Sequence, residues 1–345
     1  MDKSHETHFL AYKTLLWVYP FFLVLSGCGL SPSDTSNDPV NKGFQEVDFP
    51  NEARELITPL PQFQSYNESK AQLGKKLFND PRLSKDNTIS CSHCHRLDKG
   101  GADGSQFSIG VDGKLGHINA PTVFNTVNNF VQFWDGRAKD LKEQAKVHIT
   151  NPNGMASSFK EIISKLSKDS DYQKAFKALY KDGITEDAVV NALAEFEKAL
   201  VTPDSPFDRY LRGDKKALTQ EEIRGFQLFK SKGCIACHNG VNVGGNMYQK
   251  LGVMQKYSDP SHNLGRYNVT KREEDKYYFK VPSLRNIDLT APYFHNGLVA
   301  TLNDAVQLMA YYQLGRVLKQ EESDKIVLFL KTLTGETPAI LGKNP

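Results

Sequence analysis

Cysteine is scarce in this sequence, and net charge is almost absent. Five cysteines in 345 residues are too few for a disulfide-built scaffold, and an odd number cannot all pair. A chain of this length buries a sizeable core without them. Lys+Arg is 43 against 40 for Asp+Glu, a formal charge of +3. No basic patch stands out, so nucleic acid is not an expected partner. The uncharged apolar run Leu15–Leu25 is too short to span a bilayer as a helix. With 39% hydrophobic and 24% charged residues, the bulk of the chain is neither disordered nor fibrous.

Each cysteine can be placed individually. Leu15–Leu25 fits the apolar core of a signal peptide, with Lys3 and Lys13 ahead of it and Asp2 and Glu6 offsetting them. Leu25-Ser26-Gly27-Cys28 follows. It resembles the bacterial lipobox, whose cysteine is lipidated and becomes residue one. A plain signal peptide with an incidental cysteine is the alternative. The polar run Ser31–Pro39 reads as a flexible tether. The expected layout is a signal peptide over 1–27 and a tether over 28–60. The mature chain is then expected to be periplasmic and anchored to a bacterial membrane by acyl chains. Gly29 in place of Asp after the cysteine favours the outer membrane, where that sorting rule operates.

The other four cysteines form two copies of C-x-x-C-H: Cys91-Ser92-His93-Cys94-His95 and Cys234-Ile235-Ala236-Cys237-His238. This is the c-type haem attachment signature. Two thiols add across the porphyrin vinyl groups, and the next histidine ligates iron. One short turn must present both sulfurs to the haem edge and the imidazole to the metal. A zinc site or a redox dithiol also uses C-x-x-C, but neither requires His directly after the second Cys. Two covalently bound c-type haems are expected. Export fits, because haem of this kind is attached outside the cytoplasm.

The motifs are well separated along the chain and have similar lead-ins: Gly74-Lys75-Lys76-Leu77-Phe78 and Gly225-Phe226-Gln227-Leu228-Phe229. The repeat predicts two related domains, over 61–203 and 204–345. Thr202-Pro203-Asp204-Ser205-Pro206 is the natural linker. Helical signals dominate. Ser158-x-x-Glu161 and Thr219-x-x-Glu222 read as capping boxes. Thr185 caps a run with Ala188, Ala192, Phe196, Ala199 and Leu200 on one face. A last amphipathic segment is expected over Ser323–Leu333. The fold class is therefore all-α: two cytochrome c-like haem domains, with long Gly/Asn/Pro-rich loops wrapping the haems.

Each iron also needs an account of its opposite face. Methionine there raises the potential and suits electron transfer, whereas an open face suits peroxide or oxygen chemistry. In the second half the candidates are Met247, Met254 and Met309, the last on an amphipathic segment well downstream of His238. In the first half they are His117, His148 and Met155. Any one of these methionines also serves as ordinary core packing.

From about Leu73 to Gly335 the chain resembles the bacterial di-haem cytochrome c peroxidases. The matching stretches are Gly74–Leu83, Asn119–Thr122, Gln132–Arg137, Leu200–Phe207, Pro282–Asn286, Pro292–Gly297 and Asp304–Met309, in the expected order. The resemblance implies a peroxidatic first haem on His95 and a high-potential second haem on His238 and Met309. It implies Trp134 between the haems, aiding electron transfer. It also implies Ca2+ between the domains, on the Asn119 side chain and the carbonyls of Thr290 and Pro292. Oxygen ligands of this kind suit that cation. A small electron donor, either a cytochrome c or a copper protein, and a homodimer belong to the same expectation. Met309 argues against the related branch that oxidises a partner protein's tryptophans, which has Tyr at this position.

Two positions depart from the family pattern. The exchangeable distal His would fall at Val111, in Ser108-Ile109-Gly110-Val111, and valine cannot ligate iron. The active-site Glu would fall at Gly154. No Asp or Glu lies between Glu143 and Glu161 to replace it. His117, His148 and Gln144 are the candidate substitutes. The expected activity is reduction of H2O2 to water, with Trp134, Gln144 and His117 in catalytic roles. The alternative is a di-haem electron-transfer protein, or a haem oxidase of another substrate, without efficient peroxide chemistry.

Overall fold

The computed structural model describes residues 55–342. The signal-peptide, Cys28 and N-terminal tether expectations lie outside these residues, apart from the tether's last stretch. The described chain is mostly helical. Helices α1 (Glu68–Phe78) and α2 (Cys91–Cys94) are followed by a loop of short turns to α3 (Leu141–Thr150). Next come α4 (Phe159–Leu166), α5 (Ser170–Leu179), α6 (Glu186–Ala199), α7 (Pro206–Leu211) and α8 (Gln220–Lys232). After a second long loop with the short α9 (Tyr267–Thr270), the chain closes with α10 (Leu302–Leu314) and α11 (Gln320–Lys331). Among the described residues the sheet content is one antiparallel pair, β1 (Tyr248–Lys250) on β2 (Tyr278–Lys280), with Gln249 opposite Phe279.

Local chemistry sets the helix ends. Ser158 and Thr219 both form the predicted capping boxes, with Glu161 and Glu222 reaching back to the cap N–H. The Thr185 hydroxyl accepts from the Ala188 N–H at 3.2 Å. The last helix begins at Gln320, ahead of the predicted start at Ser323. Glu321 and Glu322 in its first turn complement the positive end of the helix dipole.

Two hydrophobic cores form. The first gathers Leu77 and Phe78 from α1, Ile149 from α3, Ile162 from α4, Phe176 from α5 and Phe196 from α6. The second gathers Phe207 from α7, Phe226 and Phe229 from α8, Leu302 from α10, and Ile326 and Phe329 from α11. The repeated lead-in explains the likeness between them. A Cβ on Gly74 would collide with the Ala192 carbonyl, and one on Gly225 with the Lys325 carbonyl. Each glycine lets two helix backbones touch. One turn further on, Phe78 packs edge-on against Phe196 with centroids 5.1 Å apart, and Phe229 meets Phe329 at 5.2 Å.

The repeat extends beyond the lead-ins. Asn125 and Asn286 both sit in the left-handed region, with φ of 62° and 60°, each just before a short 3-10 turn. Their side-chain amides donate to the same hydroxyl, Thr202 Oγ1, at 2.8 and 2.9 Å. Thr202 is the first residue of the predicted linker, and it is buried.

Next to it lies a fully buried ion pair. Arg285 donates to both carboxylate oxygens of Asp208, at 2.9 and 3.0 Å, and to the Val241 carbonyl at 2.8 Å. Asp208 also accepts from the Leu60 N–H at 3.1 Å and the Ser205 hydroxyl at 2.9 Å. Removing the acid leaves a buried guanidinium without its counter-ion. Asp208→Ala is expected to cost about 3 kcal/mol of stability, read by urea unfolding of the holoprotein. A loss below about 1 kcal/mol would place the pair with exposed ion pairs and overturn the assignment.

Candidate haem sites

Both C-x-x-C-H segments form the same turn. The His95 N–H donates to the Cys91 carbonyl at 3.0 Å, and the His238 N–H to the Cys234 carbonyl at 3.1 Å. This closes one helical turn, putting both sulfurs and the imidazole on one side. The four thiols are unpaired. Burial raises the pKa of Cys91 and Cys94 and pushes Cys234 up to about 11, so they are not nucleophilic thiolates at neutral pH.

The first turn faces a small cavity. His95 is buried, and its Nδ1 contacts the Gly101 carbonyl at 3.2 Å. That contact fixes the ring and leaves Nε2 for a metal. Facing the same space are Gln144 and His148, one turn apart on α3, and Leu193 and Glu197, one turn apart on α6. Burial pushes Glu197 up to about 8, so this carboxyl holds its proton at neutral pH. Burial, then the proximity of His95 and Arg137, push His148 down to about 4. Among the described residues lining this cavity, Glu197 is the only acid. Sequence reasoning passed over it. Its signal was one acidic residue completing the buried row Val189–Leu193–Glu197.

The second turn faces the larger of the two cavities. Its walls are largely apolar, with Phe229, Leu302 and Leu330 among them, and His238 and Met309 both line it. Burial pushes His238 down to about 4, and its Nδ1 is buried without a hydrogen-bond partner. Trp134 lines this cavity too. Its indole N–H donates to the Asn119 carbonyl at 3.0 Å, and its ring meets His295 edge-on at 6.2 Å. The strap Asn119–Thr122 borders the cavity as well and runs back towards the first site. There the Pro121 backbone lies beside His95, and the Thr122 hydroxyl donates to the Gly100 carbonyl at 2.6 Å.

The structure brings together most of the predicted site residues. Met309 is on the second cavity. Met254 is exposed, and Met247 is partly buried away from the cavity lining. Met155 is buried in the first core. Asn119, Thr290 and Pro292 all border the second cavity. The Asn119 amide donates to the Ser105 carbonyl at 2.9 Å, which turns its oxygen away from that carbonyl. Gln144 is on the first cavity, while His117 lies exposed on its loop and lines neither. The two departures from the family pattern touch each other. The Val111 N–H donates to the Gly154 carbonyl at 3.0 Å, and Gly110 packs against Asn153.

The donor set fits haem. Each site has two thiols and an imidazole on one turn. The second cavity adds a thioether and Lys280. That lysine is buried with no carboxylate partner among the described residues, and burial pushes its pKa down to about 8. An apolar pocket holding an unpaired ammonium suits a porphyrin, whose carboxylates supply the missing counter-charge. No described helix is long and apolar enough to cross a membrane.

A mostly helical chain with two such turns, each on its own cavity, defines the class of di-haem c-type cytochromes. Residues 68–216 match the family model described as di-haem cytochrome c peroxidase. The chain is 50% identical over 290 residues to Cytochrome c peroxidase Ccp of Escherichia coli, covering 83% of this chain and 62% of that longer protein. It is also 50% identical over 287 residues to Cytochrome c551 peroxidase of Nitrosomonas europaea, covering 83% and 86%. A crystal structure of a MauG-like protein associated with microbial copper homeostasis superposes with a TM-score of 0.72 at 28% identity, over 87% of this chain and 97% of that one. The chain belongs to the di-haem cytochrome c peroxidase family, and two c-type haems come with that membership.

Proposed function

We propose that this chain reduces H2O2 to water with electrons from a small redox protein. The supporting observation is an asymmetric pair of sites. His238 and Met309 share one cavity, whereas His95 shares its cavity with nitrogen, amide and carboxyl side chains and no methionine. Kinship with proteins named as cytochrome c peroxidases points the same way. Cys91, Cys94 and His95 hold the first haem, and Cys234, Cys237, His238 and Met309 hold the second. When bound, the haems supply one-electron redox chemistry and an iron face for peroxide.

The chain supplies the rest. Met309 and His238 set a high potential at the electron-entry site. Trp134, tied to Asn119, starts a short covalent and hydrogen-bonded path along Asn119–Thr122 towards His95. Gln144 and protonated Glu197 provide polar contacts and a proton at the first site. Each peroxide takes two electrons and two protons, its O–O bond breaks, and two waters leave.

The finer assignments belong to the same reading. Residues 61–203 carry the peroxidatic site and 204–345 the electron-entry site. Ca2+ sits on Asn119, Thr290 and Pro292, and a cytochrome c or copper protein is the donor. The chain is periplasmic, anchored through Cys28, and pairs as a homodimer. The test is steady-state peroxide consumption with a reduced small cytochrome c. Turnover well above that of free haem is expected. A rate equal to free haem would remove the peroxidase reading.

A further inference from the structure

We infer that His148 is the opposite-face ligand of the first haem iron, taking the place that neither Val111 nor His117 can fill. The inference rests on haem attachment at Cys91–His95 but not on peroxide turnover. His95 and His148 face the same cavity, with ring centroids 6.2 Å apart and planes inclined at 56°. With metal–nitrogen bonds of about 2.0–2.1 Å and ring nitrogens about 1.1 Å from the ring centre, two imidazoles on opposite faces of one metal have centres about 6.3 Å apart. The observed spacing is that of two ligands sharing one ion. A distal base leaving room for bound peroxide would stand about 3 Å farther away, one hydrogen bond more.

The surroundings support the assignment. Among the described residues the His148 ring makes no hydrogen bond, although it is half-buried with surface on the cavity. The core row Leu141, Ala145 and Ile149 buries the adjacent face of α3, which aims Gln144 and His148 into the cavity. His117 is exposed on its loop and lines neither cavity. Gly154 has no side chain to compete for the iron. While His148 holds the metal, the first haem is closed to peroxide, so turnover at this site requires His148 to leave the iron first.

The test is the spin state of the oxidised holoprotein, by electron paramagnetic resonance and visible spectra. The parent is expected to show two low-spin haems. His148→Ala is expected to convert the first to high spin, to accelerate cyanide binding at least tenfold, and to recover the low-spin signal with added imidazole. His148→Met keeps the volume and a soft ligand, and is expected to stay low-spin while raising the first haem's potential. A high-spin first haem in the parent would overturn the assignment. So would a low-spin signal unchanged in His148→Ala, or one lost in His117→Ala. Peroxide turnover is read separately. Two low-spin haems with no turnover would sink the peroxidase reading and leave this ligation standing.

Discussion

Gly154→Glu is expected to raise the rate of peroxide reaction by about 10²-fold or more, within the about 10²–10⁴ that a positioned general acid/base supplies. The family resemblance implies a catalytic glutamate at this position, and this chain has none. The backbone is ready for one. A Cβ at position 154 would find its nearest neighbours at 3.5–3.6 Å, which is ordinary contact, and the residue is not in the left-handed region. One of those neighbours is the carbonyl of His148, whose side chain lines the first cavity. Such a carboxylate moves a proton between the two peroxide oxygens as their bond breaks. The rate is best read by stopped-flow mixing in both the parent and the His148→Ala background, so that ligand release does not mask it. A variant no faster than its own background would show that the missing carboxylate is not limiting, and that Gln144 and Glu197 already serve the step.

Much of this architecture is legible in the residues because it rests on short-range rules. Capping boxes at Ser158 and Thr219 depend on contacts within a single helical turn, and both form. The Gly-x-x-x-Phe repeat predicts two similar units, and its physical content is a close helix crossing followed by an aromatic pair. The Asn125–Thr202–Asn286 junction is harder to read. It depends on two left-handed asparagines, one from each half of the chain, converging on one hydroxyl. Glu197 is hidden in the same way. An acidic residue at the end of an apolar helix looks like a solvated terminus, and only the fold places it on a haem cavity. His117 and His148 are equal candidates as sequence. They part because one sits on an exposed loop, while the other repeats Gln144 one turn later on a packed helix.

Met309→His tests the other end of the electron path. A thioether opposite histidine holds a haem at high potential, and replacing it with a second imidazole lowers that potential. Axial ligand identity moves haem potentials over about 0.8 V in all. A fall of about 0.1–0.2 V is expected here, which at about 59 mV per tenfold weakens electron acceptance by about 50-fold to about 2,500-fold. Turnover with a reduced cytochrome c should fall accordingly, while turnover with a strong small-molecule reductant should survive, because the first site is untouched. Met254 provides the control. It is exposed, off the cavity, and packs beside Gly315, so Met254→Leu should leave the potential unchanged. An unchanged potential in Met309→His would place the ligand elsewhere on the chain. A lowered potential with full turnover from the protein donor would mean that electrons enter without passing the second haem. Trp134 and the Asn119–Thr122 strap would then have no role in carrying them.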